Sequence, residues 1–422
     1  MSNQEKLLKR IKDKKIRVGV IGLGYVGLPL AILLARKGFN VNGYTKTEKE
    51  ATLIRGGFSR IGMDKELKKV LQTGRLQVHS IKTKKLQETE VYIICVPTPI
   101  DKKKKPDLSS LKEIAKKLSK INLESKLIIN ESTVAPFTTR KIFGSIGKNY
   151  FLVCSPERID PGSTKTVENI PKLIAGINAD SLTLAVALYK QILKNKLVVV
   201  KDMEVVEMSK MLENTYRAVN IALVNEFAKV ADAININILD VIKTAKTKWS
   251  FQAHYPGIGV GGHCIPVDPH YILELARGKK VNMQVVVDGL AENESMPEYV
   301  GQKIIKNYKK GMKILIYGLT YKNDVADLRE SPVIVLCQFL KNRKIPFTVY
   351  DPLLDEKEIK KLGYRIGRNV KADIFIVGTD HKTLALDYQL MVNDQTIVID
   401  GKNYFKNRVG KKVLGVGWSY EE

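Results

Sequence analysis

The sequence predicts an α/β protein with two doubly wound parallel-sheet domains, joined by a central helical domain that contains a long helix. The chain has 422 residues, which is too many for a single hydrophobic core. In its first and last parts, apolar strand-like runs alternate with helical stretches, as in parallel sheets covered on both faces. Between them, from about residue 202 to 232, lies a long helical pattern without Pro or Gly. We expect domains at residues 1–201, 202–305 and 306–422.

The first domain begins with a dinucleotide-binding pattern. An apolar strand at 16–21 precedes a helical stretch at 28–37 and a second strand at 39–44. Between the first strand and the helix, a G-x-G-x-x-G pattern is formed by Gly22, Leu23, Gly24, Tyr25, Val26 and Gly27. The first glycine makes the turn, the second admits the pyrophosphate, and the third packs the helix against the strand. We therefore expect a Rossmann-like domain with the cofactor phosphates at the helix N-terminus.

The second strand does not end in the acidic residue that holds the ribose of NAD in this type of domain. It ends in Thr45 and Lys46, which we expect to contact the cofactor, and Glu48 lies a turn too late. A lysine at this place can instead meet a 2′-phosphate. From the residues alone, NAD and NADP both remain open.

Further strand-like runs extend the first sheet, at residues 76–79, 91–96, 127–130, 151–154 and 197–200. Loops follow three of these strands, at 96–99, 131–134 and 155–158. Ligands of open α/β sheets bind beyond the carboxyl ends of the strands. These loops are therefore candidates for the functional site.

The long helical segment runs from about residue 202 to 232. Lys210, Asn214 and Arg217 recur there at spacings of four and three, so they share one helix face. This polar stripe is either solvated surface or one wall of a polar pocket, and the spacing does not decide between them. A helix of this length also commonly builds a dimer interface, so we expect a homodimer or a higher homo-oligomer.

The last domain repeats the alternating pattern without the glycine hexad. Its strand-like runs lie at 313–319, 347–351, 374–378 and 396–400. The loop after the first of them holds Lys322, Asp324, Asp327 and Arg329, where a ligand at a strand end would lie.

Cys264 follows a glycine-rich run at 257–262 and precedes Asp268 by four residues. Glycine removes side-chain bulk, so this backbone can approach a ligand closely and present the thiol to a substrate. A thiolate is a strong nucleophile near neutral pH. The other cysteines lie in apolar runs and are expected to be buried: Cys95, Cys154 and Cys337.

Two alternatives to a nucleophilic role remain for Cys264. It can be a buried thiol in a tight loop, or a zinc ligand together with His254, His263 and His270. The spacing matches no usual pair of zinc ligands, and no second cysteine lies nearby. We therefore expect no metal.

The formal net charge of +26 raises the question of a polyanionic partner. The lysines are spread along the chain without an aromatic-interleaved basic motif, which favours attraction of small anionic substrates over nucleic acid. No apolar run has the length of a transmembrane helix, and no secretory signal is visible. The four scattered cysteines fit a reducing compartment, so we expect a cytoplasmic protein without a membrane partner.

Together these residues make the chain resemble the UDP-glucose/GDP-mannose dehydrogenase family, the nucleotide-sugar 6-dehydrogenases, over nearly its whole length. The matching motifs are GLGYVGLP at 22–29, VPTP at 96–99, EST at 131–133, SPER at 155–158, ENTYR at 213–217, GGHCIPVDP at 261–269, DLRESP at 327–332 and IDG at 399–401. Several independent motifs in the same order are more specific than any one of them.

The resemblance implies oxidation of the C6 hydroxymethyl of a nucleotide-activated sugar to a carboxylate in two hydride transfers. It implies that Cys264 forms a thiohemiacetal that is oxidised to a thioester. Lys210 would stabilise the oxyanion, Asp268 would act with it through a water in base chemistry, and Glu157 would guide water onto the thioester. Implied cofactor contacts are Thr98, Thr133 and Arg329. Implied substrate contacts are Glu157, Arg158, Lys210, Asn214, Arg217, His254, Tyr255, Pro256, Gly257, Gly261 and Lys322.

Departures from the UDP-glucose branch refine the implied substrate. That branch usually has Tyr before the nucleophile, Lys three residues after it, and a second Glu four residues after the first. Here these positions hold His263, Val267 and Pro161. The histidine, and the Asp160-Pro161-Gly162 run, are similar to the branch that acts on UDP-N-acetylglucosamine or UDP-N-acetylmannosamine and makes uronic acids for surface polysaccharides. Details at 255–257 and 264–266 lean toward the gluco epimer.

Three other functions remain as alternatives. A UDP-glucose or other nucleotide-sugar 6-dehydrogenase would share the motifs. A two-electron hydroxyacid-type dehydrogenase would share the glycine-rich domain and long helices, but it needs no nucleophilic thiol. A non-catalytic nucleotide sensor would bind without turnover, which the joint presence of Cys264, Lys210, Asn214 and Asp268 disfavours.

Overall fold

The computed structural model of the protein describes residues 1–59, 61–159, 166–368, 370–406 and 412–420. The chain divides into two compact units. Unit 1 comprises Met1–Glu213 and His270–Leu275, and unit 2 comprises Asn214–Pro269 and Ala276–Glu422. The first boundary lies inside the long helix. The three-domain division therefore stays a prediction.

Unit 1 is built on an eight-stranded sheet of order β3-β2-β1-β4-β5-β6-β7-β8. Its strands are β1 (Arg17–Ile21), β2 (Asn40–Thr45), β3 (Leu76–Ser80), β4 (Val91–Ile94), β5 (Leu127–Asn130), β6 (Phe151–Cys154), β7 (Lys172–Gly176) and β8 (Leu197–Val199). Its helices are α1 (Asn3–Lys12), α2 (Gly27–Arg36), α3 (Glu48–Arg55), α4 (Asp64–Gln72), α5 (Ser109–Leu118), α6 (Thr138–Phe143) and α7 (Ala179–Tyr189), with short 3₁₀ turns at Lys84–Glu88 and Val167–Asn169. The described strand pairs are parallel except β6 with β7, which is antiparallel.

The central strands of unit 1 are short apolar runs because both faces of the sheet are covered. Every residue of β4 and of β5 is buried. The strands predicted from the sequence are confirmed, whereas α1 and β7 were not predicted. Helix α1 was missed because its sequence is rich in lysine. Its apolar face is formed by Leu7 and Ile11, which are four residues apart and both buried.

The long helix α8 (Met203–Ala233) starts in unit 1 and ends in unit 2, within a residue of the predicted ends. The remaining helices are α9 (Ile238–Ala245), α10 (Asp268–Gly278), α11 (Gln284–Asn307), α12 (Pro332–Asn342), α13 (Glu356–Lys361) and α14 (Leu384–Met391). Across the described ranges, no helix is both long enough and apolar enough to cross a membrane.

Unit 2 contains a six-stranded sheet of order β10-β9-β11-β12-β13-β14. The strands are β9 (Ile314–Tyr317), β10 (Thr348–Tyr350), β11 (Ala372–Val377), β12 (Val392–Asp400), β13 (Val413–Gly415) and β14 (Ser419–Tyr420). The first five are joined by parallel pairing, and β14 pairs antiparallel with β13. The predicted fold class, with two α/β sheets and a long central helix, is confirmed.

Both sheets reverse their strand order at one point, and ligands of such sheets bind at that crevice. In unit 1 the reversal lies between β1 and β4, so the loops after residues 21 and 94 line it. In unit 2 it lies between β9 and β11. In each sheet, the two loops that line this crevice approach each other closely at a glycine. A Cβ on Gly22 would lie 2.6 Å from the Cys95 carbonyl oxygen, and a Cβ on Gly318 would lie 2.6 Å from the Thr379 carbonyl oxygen.

Candidate active site

The glycine hexad of unit 1 has the geometry that a pyrophosphate cradle requires. Gly22 has a φ of 95°, in the left-handed region that favours glycine. A Cβ on Gly27 would lie 2.0 Å from the Gly22 carbonyl oxygen, so only glycine lets α2 start this close to the turn. A Cβ on Gly24, by contrast, would meet no heavy atom of the described residues within 4 Å. The open space at Gly24, beside the N-terminus of α2, fits the phosphates of a dinucleotide.

The other predicted cofactor residues of unit 1 lie at strand ends. Thr45 is the last residue of β2 and is buried, and Lys46 follows it on the surface. Thr98 and Thr133, which follow β4 and β5, are joined by a hydrogen bond of 2.8 Å from the Thr98 hydroxyl to the Thr133 carbonyl. The sequence did not predict that Tyr271 donates from its hydroxyl to the Thr98 carbonyl at 2.7 Å. The tyrosine hydroxyl therefore supports the loop after β4.

Glu157 lies in the loop after β6 and is 8% exposed. Its Oε1 accepts hydrogen bonds from the Arg158 and Ile159 amides at 2.7 and 2.9 Å. Burial would raise the pKa of this carboxyl, but the Lys172 ammonium and the Arg158 amide outweigh burial and hold the pKa below its usual value. Glu157 is therefore ionised at neutral pH.

Lys210, on α8, lies close enough to Glu157 for its charge to lower the pKa of that carboxyl further. It is 6% exposed, so the predicted polar stripe on α8 is not plain solvated surface at this position. Arg158 forms an ion pair with Glu213 at 2.8 Å, which ties the loop after β6 to α8 within unit 1. Arg217, two turns beyond Lys210, is exposed.

Cys264 lies in unit 2, in a turn that leads into α10. The Cys264 carbonyl accepts from the Val267 amide at 3.1 Å and from the Asp268 amide at 2.8 Å. The thiol residue is partly exposed, whereas Cys95, Cys154 and Cys337 are buried, as predicted. Burial raises the pKa of the Cys337 thiol and of the other two well above the usual value, so these three stay protonated.

The glycines before Cys264 allow close packing within unit 2. Gly262 has a φ of 91°, and a Cβ there would lie 2.6 Å from the Tyr321 ring. A Cβ on Gly261 would lie 2.6 Å from the Tyr321 Cβ and 2.7 Å from the Glu330 carbonyl oxygen. These glycines therefore seat the cysteine loop on the loop after β9, next to Lys322.

Asn214 and Asp268, two of the predicted site residues, are brought together in unit 2. The Asn214 side-chain amide donates to Asp268 Oδ2 at 2.5 Å. Asp268 is 2% exposed and is the first residue of α10, where a negative charge is favourable. The hydrogen bond fixes the orientation of the carboxylate.

The predicted substrate loop around Tyr255 is held by two asparagines that the sequence reading missed. The Gly257 amide donates to Asn225 Oδ1 at 3.1 Å, and Asn403 donates to the Pro256 carbonyl at 2.7 Å. Tyr255 is 46% exposed on this fixed backbone. No pattern around Asn225 or Asn403 marks them, because their role follows from contacts far apart in the chain.

His254 lies one residue before this loop. Its ring packs edge-on against Tyr216 of α8, with ring centroids 6.2 Å apart.

Arg329, predicted to contact the cofactor, is exposed in unit 2 and pairs with Asp327 at 2.6 Å. Burial would raise the pKa of Asp327, but the Arg329 guanidinium holds it below the usual value. Arg329 also lies 3.3 Å from His263 Nδ1. Its role toward the cofactor stays a prediction, as does that of Lys322 toward the sugar nucleotide.

Among the described residues, no group of three or more His, Cys, Asp or Glu side chains is arranged to hold a metal ion. The Asp160-Pro161-Gly162 run, on which part of the substrate prediction depends, lies outside the described residues.

Three models of one family match the chain. They are the NAD binding domain of the UDP-glucose/GDP-mannose dehydrogenase family at residues 16–193, its central domain at 204–295 and its UDP binding domain at 315–407. The cofactor that the residues alone left open is therefore NAD, and the open cradle at Gly24 fits it.

Relatives match over almost the full length. A Methanococcus vannielii protein named UDP-N-acetyl-D-mannosamine dehydrogenase is 36% identical over 425 residues, with 96% of each chain covered. A Pseudomonas aeruginosa protein named UDP-N-acetyl-D-glucosamine 6-dehydrogenase is 34% identical over 82% of this chain and 85% of its own. The solved structure of a UDP-D-ManNAc dehydrogenase from Pyrococcus horikoshii has a TM-score of 0.82 and 31% identity, over 95% of this chain and 99% of that one. The chain therefore belongs to the UDP-glucose/GDP-mannose dehydrogenase family and is an NAD-dependent nucleotide-sugar dehydrogenase.

Proposed function

We propose that the protein oxidises the C6 hydroxymethyl of a UDP-N-acetylhexosamine to the carboxylate, in two successive oxidations. The observation that carries this proposal is the near full-length similarity to the M. vannielii protein, at 36% identity. His263 before the nucleophile favours the same substrate class. The hydroxyacid-type alternative does not account for a match to a UDP binding domain at 315–407.

We propose UDP-N-acetyl-D-mannosamine as the substrate. The M. vannielii relative and the P. horikoshii structure both carry that sugar in their names. The lean toward the gluco epimer, taken from details at 255–257 and 264–266, is not supported by these relatives. The P. aeruginosa relative, named for the gluco epimer, keeps UDP-N-acetyl-D-glucosamine as the second candidate.

In this proposal the residues of the chain supply covalent capture and charge stabilisation. When bound at the glycine hexad, NAD would supply the hydride acceptor for each oxidation. The thiolate of Cys264 attacks the C6 aldehyde to form a thiohemiacetal, and its oxidation yields a thioester that keeps the intermediate attached. The Lys210 ammonium stabilises negative charge on the C6 oxygen. Asp268, oriented by its 2.5 Å hydrogen bond from Asn214, takes up the hydroxyl proton through a water.

Release of the product needs a water directed at the thioester carbon. Glu157 supplies an ionised carboxylate whose Oε1 is fixed by two backbone amides. Its charge favours acceptance of a proton from that water. The loop at Tyr255 to Gly257, held by Asn225 and Asn403, presents a fixed backbone for substrate binding.

We also propose that a second copy of the chain covers one face of α8. Large apolar side chains on this helix are exposed at spacings of mostly three and four residues: Val205, Met208, Leu212, Tyr216, Leu223, Phe227 and Val230. A contiguous apolar stripe of this length is unfavourable in water and is typical of a self-association surface. This stripe supports the predicted homodimer.

The test is the stoichiometry of the reaction. The purified protein is incubated with NAD and UDP-N-acetyl-D-mannosamine, UDP-N-acetyl-D-glucosamine or UDP-glucose, and NADH is compared with sugar consumed and uronic acid formed. We expect two NADH per sugar and the highest kcat/KM with the manno epimer, with NADP a poorer oxidant. One NADH per sugar, or binding without turnover, would contradict the proposal. A preference for UDP-glucose would contradict the substrate assignment alone.

A further inference from the structure

A cluster of buried ionisable side chains lies in unit 1, which we call the Lys172 cluster: Lys172, Glu131, Glu157 and Tyr189. Lys172 is 3% exposed although it opens the apolar strand β7. Its Nζ lies 2.8 Å from Glu157 Oε2 and 3.1 Å from Glu131 Oε2. Burying an isolated charge is costly, so such a lysine is retained only beside carboxylates.

The sheet topology explains why these residues meet. Glu131 directly follows β5, and Glu157 follows β6 by three residues. Strand β7 runs antiparallel to β6, with Cys154 opposite Ala175. The same register, continued, places Glu157 opposite Lys172. The first residue of β7 therefore lies at the end of the sheet where β5 and β6 have their carboxyl ends, and ligands of such sheets bind at that end.

The two carboxyls are not equivalent partners of Lys172. Glu157 Oε2 accepts a hydrogen bond from Lys172 Nζ at 2.8 Å. Glu131 Oε2 is at ion-pair distance without the direction of a hydrogen bond, while its Oε1 accepts from the Tyr189 hydroxyl. Burial raises the pKa of Glu131 to about 7 in spite of Lys172, whereas the pKa of Glu157 stays low. Lys172 therefore donates its hydrogen bond to Glu157, while its charge is shared between both carboxyls.

We propose that Lys172 is a positioning residue for hydrolysis of the enzyme thioester, because its ammonium holds the Glu157 carboxylate in place through Oε2. This inference rests on the proposed function. In that step the water oxygen bonds to the thioester carbon, a water proton passes to the carboxylate of Glu157, and the carbon–sulfur bond breaks to release the Cys264 thiolate. No electrons leave or enter. Lys172 touches neither substrate nor cofactor in this account.

The first test is Lys172→Met, with Lys172→Arg as the conservative variant. Both oxidations precede hydrolysis, so Lys172→Met should keep a rapid burst of two NADH per subunit. Steady-state kcat should fall by about tenfold or more, since correctly charged and placed acid–base groups contribute ~10²–10⁴ in rate. The trapped thioester should be visible as a mass increase of the intact protein. Lys172→Arg keeps the charge and should recover most of kcat.

A matched control is Lys126→Met. Lys126 precedes β5 at the other end of the same sheet, and its Nζ donates to the Gln87 and Thr89 carbonyls at 2.6 and 2.8 Å. Losing this lysine should cost stability without accumulation of the thioester. Thioester accumulation in Lys126→Met would show that destabilising unit 1 is sufficient, and would overturn the specific role of Lys172.

Lys172→Met removes the cation that forms ion pairs with two buried carboxyls, and this variant can fail to fold. The double variant Lys172→Met with Glu131→Gln has the same net charge in the cluster as the wild type with Glu131 ionised, so the comparison is made above pH 7. We expect it to fold, bind NAD normally and still accumulate the thioester. Wild-type hydrolysis by this double variant would refute the inference.

The acid limb of the kcat–pH profile provides an independent measurement. Without the ammonium, Glu157 should protonate at higher pH. The acid limb should therefore shift to higher pH in Lys172→Met and lie at the wild-type pH in Lys172→Arg. An unmoved limb would refute the role of Lys172. Failure of the proposed function is seen separately, because the wild type would then yield one NADH per sugar, or Glu157→Gln would trap no thioester.

Discussion

The glycine hexad allows a sharp test of the cofactor site, with two single-methyl substitutions three residues apart. In Gly27→Ala the new Cβ would lie 2.0 Å from the Gly22 carbonyl oxygen and 3.1 Å from the Cys95 Cβ. Since atoms in contact sit about 3.5 Å apart, the backbone must move by more than about 1 Å. The carbonyl cannot rotate away as a side chain can. Overpacking of this kind costs about 1–3 kcal/mol of unfolding free energy.

Gly24→Ala should have the opposite profile. No heavy atom of the described residues lies within 4 Å of its new Cβ, so the methyl group costs little in the folded state. An alanine at a position with compatible backbone can even add ~0.4–1 kcal/mol by restricting the unfolded chain. The methyl would occupy the space assigned to the pyrophosphate. We expect the Kd for NAD to rise about tenfold or more, which is a loss of about 1.4 kcal/mol.

Urea denaturation and calorimetric titration with NAD separate the two effects. Gly27→Ala should lower the urea midpoint, and Gly24→Ala should leave it at or above the wild-type value while weakening NAD. UDP binding, assigned to residues 315–407, serves as the control and should not change in Gly24→Ala. Wild-type NAD affinity in Gly24→Ala would refute the placement of the pyrophosphate. An unchanged midpoint in Gly27→Ala would refute the tight packing of α2 on the turn.

Three further outcomes are expected. Cys264→Ser should abolish uronic acid formation with NAD affinity close to wild type, and full activity would end the thioester account. Burial raises the pKa of Glu207 to about 7, so stability falls as pH rises from about 4.5 through 7 because the folded state holds the extra proton. The side chain introduced by Glu207→Gln would keep an oxygen to accept the hydrogen bond that the Thr139 amide donates to Glu207 Oε1 at 2.9 Å. The urea midpoint of Glu207→Gln should therefore fall less than that of the wild type between about pH 5.5 and pH 8. An equal fall in both proteins contradicts this prediction. Phe227→Glu, at a position 57% exposed on α8, should shift light-scattering mass from dimer to monomer, and an unchanged mass contradicts the α8 interface.

Much of the fold could be predicted because its signals are local. Strand β1, the glycine hexad and α2 are contiguous in the sequence. The role of each glycine follows from its position between this strand and this helix. The long helix α8 was predictable to within a residue, since apolar side chains recur at helical spacing without Pro or Gly. The thiol Cys264 stood apart from three cysteines in apolar runs, and those three are buried.

Strand β7 could not be predicted in the same way. It begins with a lysine, and its antiparallel pairing with β6 breaks the alternation that implied a wholly parallel sheet. A lysine at the start of an apolar run was the only signal that the sequence offered for the Lys172 cluster. A lysine at this place usually indicates a strand end exposed to solvent. Only the positions of Glu131 and Glu157 in the structure show that Lys172 is buried and paired.

The sequence by itself determined the chemistry that the chain can perform: a phosphate cradle of glycines, a thiol in a glycine-rich loop, and the order of motifs that gives the family. These depend on residues close together in the chain, where backbone geometry follows from residue type. The tertiary structure alone decided which groups tune that chemistry. Asn214 orients Asp268 across 54 positions of sequence, and Lys172 reaches Glu157 through an antiparallel register. Charge and orientation depend on distances of about 3 Å between distant segments, and only the packed sheet and helices bring those segments together.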